Sequence, residues 1–295
     1  MSNNSLTGNK VSFSPDTRLL TQLKDSIVLI KYGGNAMVDK QAREAVFWQV
    51  HKLVHYGLLP VIVHGGGPVI KELLEIAKVE SVFIGGHRKT DRQAMKYVEM
   101  ALSGRVSGDI VKGLNATGLR AVGLSGKDAS MVRAVRRFHE AEVDGEVEKS
   151  DLGFVGNVES IDIELVTILL KNRYLPVIAP IGVGKDGEDY NINADMFAGH
   201  MAGALKASAF VAMTDVDGLM EDPEKPDTRL VTVKRDRIEA KIGDSVSGGM
   251  IPKVEACLIA LRQGVKKAHI INGMKPNTLL NQLLTTRKDG TTIEL

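Results

Sequence analysis

The chain has 295 residues, 43% of them hydrophobic and 25% charged, enough for a sizeable core in one large or two small globular domains. Thirty-eight Lys and Arg against 36 Asp and Glu leave a net charge of +2, so no bulk field is built to hold nucleic acid or an anionic membrane. A single cysteine, Cys257, excludes a disulfide framework and a cysteine-based zinc site; with a polar start from Met1 to Lys10 and no long apolar run, a cytoplasmic protein is expected.

Residues 1–26 form an N-terminal extension, within which Leu19, Leu20 and Leu23 predict a helix over Asp16 to Lys24. The apolar run Ile27 to Ile30 reads as a buried parallel strand entering the loop Lys31-Tyr-Gly-Gly34. Val46, Val50, Leu53 and Val54 mark a helix closed by Gly57, and Leu58 to Val63 is a second buried strand. It ends in His64-Gly-Gly-Gly67-Pro68, ahead of a helix through Ile70, Leu73, Leu74 and Ala77. Thr90 and Gln93 suggest a capping box for the helix that buries Ala94, Tyr97, Val98, Ala101 and Leu102.

Leu119 to Leu124 is a further strand, and Asp144-Gly145 suggests a hairpin in an antiparallel excursion over one end of the sheet. Helices are then expected at Ile163 to Leu170, Ala194 to Leu205, around Val254 to Leu261, and at Leu279 to Leu284. Strands fall between them at Leu175 to Ala179, Phe210 to Met213 and His269 to Ile271. This alternation predicts a mostly parallel sheet with helices on both faces, as two lobes on one continuous sheet.

In such sheets ligands bind beyond the carboxyl ends of the strands. The residues there are Lys31 to Asn35, His64 to Gly67 and Thr214-Asp215-Val216-Asp217-Gly218. A single glycine pair is better explained by a tight turn, but two such loops after two buried strands shift the reading towards phosphate or carboxylate binding. Lys31 ends an apolar strand, where its charge is costly unless it reaches solvent or meets an anion. Lys253 sits at a helix start, where the helix dipole disfavours a cation unless an anion shares the place. Asp195, in Asn191-Ile-Asn193-Ala-Asp195, is either a favourable N-terminal charge or the group that orients the lysines. Arg88 is either a solvated loop cation or a fork for a substrate carboxylate.

Other chemistries lack their parts. There is no G-x-S-x-G nucleophile elbow and no Walker loop, and Gly182-Val-Gly184-Lys-Asp-Gly187 leads into polar residues rather than an apolar helix. His51 and His55 share a helix face without an obvious third ligand, and Arg133, Arg136 and Arg137 read as a solvated face.

Taken together, Lys31-Tyr-Gly-Gly-Asn-Ala-Met37, Val61-Ile-Val-His-Gly-Gly-Gly-Pro68, Asn191-Ile-Asn-Ala-Asp195 and Gly249-Met-Ile-Pro-Lys253 closely resemble the acetylglutamate kinases of the amino-acid kinase family, in order over residues 27 to 273. The resemblance implies an α/β fold with an open, mostly parallel eight-stranded sheet. It implies one domain over 27–295, with residues 27–190 as the acetylglutamate-binding lobe and 191–295 as the ATP-binding lobe. The implied reaction moves the γ-phosphoryl group of ATP to the γ-carboxylate of N-acetyl-L-glutamate, with Mg²⁺ carried by the nucleotide phosphates. Lys31 and Lys253 match the two transition-state lysines, and Asp195 their organiser. Gly66, Gly67, Arg88 and Asn191 match the acceptor contacts. Gly33 and Gly34 match the phosphate loop, and Asp215, Val216, Asp217, Gly218, Leu219, Met220, Ser245, Val246 and Ser247 the nucleotide side.

A kinase of N-acetyl-aminoadipate or glutamate, or a non-catalytic regulatory subunit on the same fold, shares most of these residues. A homo-oligomer, dimer or hexamer, is expected, with a PII-type protein as a further partner. Members inhibited by arginine typically add an N-terminal helix, as here, but Asn277 and Gln282 stand where they usually show His and Glu. Weakened or absent arginine inhibition is therefore expected.

Overall fold

A computed structural model describes residues 13–143, 146–222, 224–243 and 246–295. The elements follow in chain order: α1 (Thr17–Leu23), β1 (Ile27–Tyr32), α2 (Asn35–Val38), α3 (Lys40–His55), β2 (Leu59–His64), α4 (Gly67–Ile76), β3 (Phe83–Ile84), β4 (His87–Arg88) and α5 (Arg92–Glu99). A π-helical turn (Met100–Val106) runs into α6 (Ser107–Ala116), followed by β5 (Ala121–Ser125), β6 (Val132–Val143), β7 (Glu146–Ile161), α7 (Glu164–Lys171), β8 (Leu175–Ala179), β9 (Ile181–Gly184) and β10 (Asp189–Ile192). The last part holds α8 (Ala194–Ala204), β11 (Ala209–Thr214), β12 (Thr232–Lys234), α9 (Arg235–Glu239), α10 (Ile251–Arg262), β13 (Lys267–Asn272), α11 (Thr278–Leu284) and β14 (Thr291–Glu294).

Eight strands form one sheet in the order β12-β14-β13-β11-β1-β2-β8-β5. It is mostly parallel, with β14 antiparallel to β13. The apolar runs are continuous because both faces are covered. Leu29, Val61 and Val63 enter the core against α7, α8 and α10, whereas Val28, Ile30 and Ile62 enter the core against α3, α6 and α11. The strands from residues 27–190 lie on one side of the β1/β11 junction and those from 191–295 on the other. That junction is where strand order reverses, and crevices for ligands open at such points.

The antiparallel excursion is present. β6 pairs with β7 and, with β9 and β10, closes a four-stranded barrel. Asp144-Gly145, the expected turn, lies outside the described residues. The G-x-G-x-x-G match belongs to β9 and the turn into β10, not to a strand-to-helix loop.

One expectation needs correcting. Helix α5 is capped not by Thr90 but by Asp91, whose carboxylate accepts from Ala94 N at 2.7 Å. Thr90 is held in extended pairing instead: its N–H donates to Leu152 O, and its carbonyl accepts from Phe154 N. Helix α1 occupies the expected place and turns Leu20 and Leu23 onto the chain's own core. Among the described residues no helix is long and apolar enough to cross a membrane.

Candidate active site

Lys31, at the end of β1, is on the same side of the sheet as Leu29, facing α8. Its Nζ lies 3.0 Å from Asp195 Oδ1. Lys253, in the first turn of α10, reaches the other oxygen of the same carboxylate at 3.8 Å. Lys31 is 6% exposed and Asp195 7%, so neither charge is solvated as a surface group would be. A buried charge is tolerated when it is paired, and here one carboxylate pairs two ammonium groups, leaving the cluster one positive charge in excess. Burial pulls the Lys253 ammonium below the ordinary lysine range, Lys31 pulls the same way, and Asp195 and Asp215 oppose the shift.

Each ammonium has three donors. Lys253 also donates to Gly249 O at 3.0 Å. That contact and Asp195 resolve the conflict between a cation and a helix N-terminus. The remaining N–H directions on both lysines are left for an anion.

The close approach of α8 and α10 sets this geometry. A Cβ on Gly199 would lie 2.6 Å from Ala256 O and 3.0 Å from Ala256 Cα. Asp195, Gly199 and Gly203 follow at four-residue steps on one helix face, so the glycines let α8 settle against α10 and bring Asp195 to Lys253. The alanines and glycines of α8 (ADMFAGHMAGA) therefore serve a helix-to-helix contact. Asn193 caps α8, accepting from the N–H groups of Asp195 and Met196.

Around the cluster, the glycine loops converge. A side chain at Gly33 would sit 3.0 Å from Lys31 Nζ, and a Cβ on Gly65 would reach to 4.0 Å from Ala194 Cβ at the start of α8. Gly34 takes φ +70°, the left-handed region that glycine enters without strain. Helix α4 carries no side-chain cap, so its first N–H stays available to an anion, whereas at α10 the Ile251 N–H is already bonded to Gly248 O.

Arg88 lies on the small β3–β4 hairpin, half-buried, stacked 4.6 Å from the Phe83 ring centroid and bonded to Ser81 Oγ. Asn191 lies on β10, paired with Val155 of β7. The hairpin meets the same strand through the Thr90–Gly153 bridge. Thus β7 links Arg88 and Asn191, and neither makes a hydrogen bond to the lysine pair among the described residues.

Beyond β11, Asp215 accepts from Asn35 Nδ2 at 3.0 Å, and Asp217 accepts from Asn272 at 2.8 Å and Lys275 at 2.5 Å. Lys275 holds the Asp217 carboxyl below its usual range. Gly218 has φ +114° and packs on Thr291, and Leu219 N donates to Thr291 Oγ1. Leu219 and Val246 are core residues, so only their backbone could meet a nucleotide. Val216 and Ser247 are exposed, Met220 is half-buried, and Ser245 lies outside the described residues. The roles of Asn35, which bonds Asp215, and of Gly199, which lies on Ala256, arise from contacts between segments distant in the chain.

Residues 26–272 match the model of the Amino acid kinase family. The acetylglutamate kinase of Desulfitobacterium hafniense is 46% identical over 268 residues, covering 90% of this chain and 89% of that protein. The acetylglutamate kinase of Pelotomaculum thermopropionicum is 42% identical over 269 residues, covering 90% and 91%. Among solved structures, N-acetylglutamate synthase from Neisseria gonorrhoeae superposes with a TM-score of 0.80 at 19% identity, a likeness of fold; the match covers 94% of this chain and 61% of that one. With the sheet order, the lysine pair and its glycine loops on one edge, and this match over most of its length, the chain belongs to the amino acid kinase family.

Proposed function

We propose that this protein transfers the γ-phosphoryl group of ATP to the γ-carboxylate of N-acetyl-L-glutamate, giving N-acetyl-L-glutamyl 5-phosphate in arginine biosynthesis. The observation that carries the reading is one buried carboxylate, Asp195, holding Lys31 and Lys253 on its two oxygens at the switch point of the sheet. Relatives at 42% and 46% identity named acetylglutamate kinase support the choice of acceptor.

The chemistry asks for little else. A γ-carboxylate is already ionised near pH 7, so no general base is needed. Its oxygen attacks the γ-phosphorus in line, the bond to the β-phosphate bridging oxygen breaks, and ADP leaves with that electron pair. Negative charge spreads over the equatorial oxygens and the leaving group, and positioned cations and N–H donors stabilise it. Lys31, beside the Gly33 and Gly65 loops, meets the transferring group, and Lys253 meets it from the nucleotide side. Gly66 and Gly67 supply backbone donors to the acceptor, with Arg88 and Asn191 holding its other polar groups. Gly33, Gly34 and the segments from Asp215 to Met220 and Ser245 to Ser247 hold ATP.

Mg²⁺ arrives on the nucleotide phosphates; among the described residues no group of three or more His, Cys, Asp or Glu side chains could hold a metal ion. The division into lobes at residue 190, a homo-oligomeric state, a PII-type regulator and a cytoplasmic location belong to the same reading and rest on the resemblance. The deciding measurement is acceptor-dependent ADP release with N-acetylglutamate, N-acetyl-aminoadipate and glutamate. The reading expects the first to be strongly preferred, and no turnover with it would overturn the assignment.

A further inference from the structure

His64, the last residue of β2, is fully buried. Its Nδ1 lies 2.9 Å from the carbonyl oxygen of Gly65, and its Nε2 is buried with no partner among the described residues. A carbonyl oxygen only accepts, so Nδ1 must carry the proton. Burial pushes the imidazole down to about 4, which keeps the ring neutral. A half-satisfied imidazole is a poor choice for stability alone, since an apolar side chain would leave no unpaired nitrogen in the core. The Gly65 carbonyl is therefore the one group its position serves.

That contact has a directional consequence. The Gly65 carbonyl and the Gly66 N–H belong to one planar trans peptide unit and point in opposite directions. With the oxygen turned back onto the His64 ring, the Gly66 N–H points away from it. His64 follows Ile62 by two residues and shares its face of the sheet, whereas Val63 faces the other core, on the Lys31 side. Among the described residues, Gly66 N–H meets no protein acceptor, and Gly66 stands at the uncapped start of α4.

We propose that His64 is a positioning residue: by holding the Gly65 carbonyl it fixes the Gly66 N–H towards the anionic group of the phosphoryl acceptor. The proposal rests on the acceptor reading above and adds the residue that aims the donor. Any side chain at position 64 able to donate one hydrogen bond from near the Nδ1 position should preserve the effect. An apolar isostere should not, however well it packs.

The test has two arms. In uniformly ¹⁵N-labelled wild-type protein without ligands, two-bond ¹H–¹⁵N correlation spectra of the imidazoles should show His64 as the Nδ1–H tautomer; the Nε2–H tautomer would overturn the proposal. This arm needs no substrate and no variant, so it is independent of the acceptor assignment. In steady-state assays, His64→Leu should lower kcat/KM for N-acetylglutamate by about tenfold or more and leave the KM for ATP unchanged, while His64→Asn recovers most of the loss. Equal losses in both variants, a matching rise in the ATP KM, or undiminished acceptor kcat/KM in a folded His64→Leu would sink it. If His64→Leu does not fold, the tautomer and the His64→Asn kinetics still decide. A wild-type enzyme inactive on N-acetylglutamate but showing the Nδ1–H tautomer would place the failure in the acceptor assignment instead.

Discussion

Asp195 Oδ2 and Lys253 Nζ stand 3.8 Å apart across two helices, a separation held by Gly199 lying directly on the Ala256 backbone one turn further along α8. Gly199→Ala puts a methyl group against a main-chain carbonyl that cannot rotate away, so α8 must move outward. The expected cost is roughly 1–3 kcal/mol of stability, with a fall in kcat that exceeds any change in substrate KM. Urea unfolding and steady-state kinetics measure both. Wild-type values for the two quantities would show that the helix contact does not set the spacing.

The lysines themselves give a sharper test. Lys31→Ala leaves Asp195 buried with only the longer Lys253 contact, and Lys253→Ala removes the cation on the nucleotide side. In each folded variant kcat should drop by at least about a hundredfold, the scale on which one oriented charge or donor acts at a reacting centre. Asp195→Asn should lower kcat as well, because the two ammonium groups then face each other with no anion between them. Near-normal turnover in variants that still bind both ligands would remove these residues from the mechanism.

At Gly66 the constraint is steric. A Cβ there would lie 2.6 Å from Leu102 Cδ2 and 3.3 Å from Val106 Cγ2, both in the π-helical turn. Gly66→Ala should therefore raise the KM for the acceptor by displacing the loop. Adding Leu102→Ala opens that space and should recover part of the loss. If the double variant is no better than the single one, the loop is displaced by something other than Leu102.

How much of this could be read in the sequence depended on where the partner residues lie. The central parallel strands β1, β2, β8 and β11 were legible because each carries a continuous apolar run. Lys31 stood out as a charge at the end of such a run, and Lys253 as a cation at a helix start. Helix α6 was missed because Gly108 and Gly113 weaken a helical reading; Gly113 is required there because the Phe47 ring fills the space a Cβ would take. Thr90 with Gln93 fits a capping box in the sequence, but pairing with β7 takes Thr90 and leaves the cap to Asp91. The role of Gly199 is invisible in the sequence, since nothing local reveals that Ala256, distant in the chain, presses on it. Short edge strands such as β12 and β14 carry too few residues to show a period.

Acid should destabilise the protein through two buried histidines. Burial holds the His64 imidazole down at about 4 and the His269 imidazole at about 3, against about 6.5 in the unfolded chain. Both are bases with lowered folded values, so between those limits the unfolded state binds more protons and stability falls as pH falls. The loss begins near pH 6.5 and approaches about 1.4 kcal/mol per pH unit for each histidine. His269 adds a geometric reason, since its Nδ1 lies 3.2 Å from the Gln282 amide nitrogen, a donor that an imidazolium would confront. Urea midpoints at pH 7 and pH 5 should differ less in His269→Gln than in the wild type. Identical differences would show that His269 titrates normally.

The same Gln282 bears on arginine. It is 1% exposed, its Oε1 accepts from Gly290 N at 3.0 Å, and its Nε2 donates to Thr292 Oγ1 at 2.9 Å. A guanidinium has five donors and no acceptor, so it seeks a carboxylate, and here the neutral amide oxygen is already engaged inside the fold. Asn277, the other departure, is spent differently: it takes φ +62° as the residue that begins α11. Helix α1 is present, yet the polar atoms of Gln282 are engaged with Gly290, Thr292 and His269 inside the fold. Micromolar L-arginine should leave the acceptor saturation curve unchanged, neither shifted nor made sigmoidal. Gln282→Glu should lose stability, because it replaces the amide that donates to Thr292 Oγ1 with a buried carboxylate that only accepts and must be desolvated. Strong inhibition of the wild type by micromolar arginine would refute this account of the C-terminal segment.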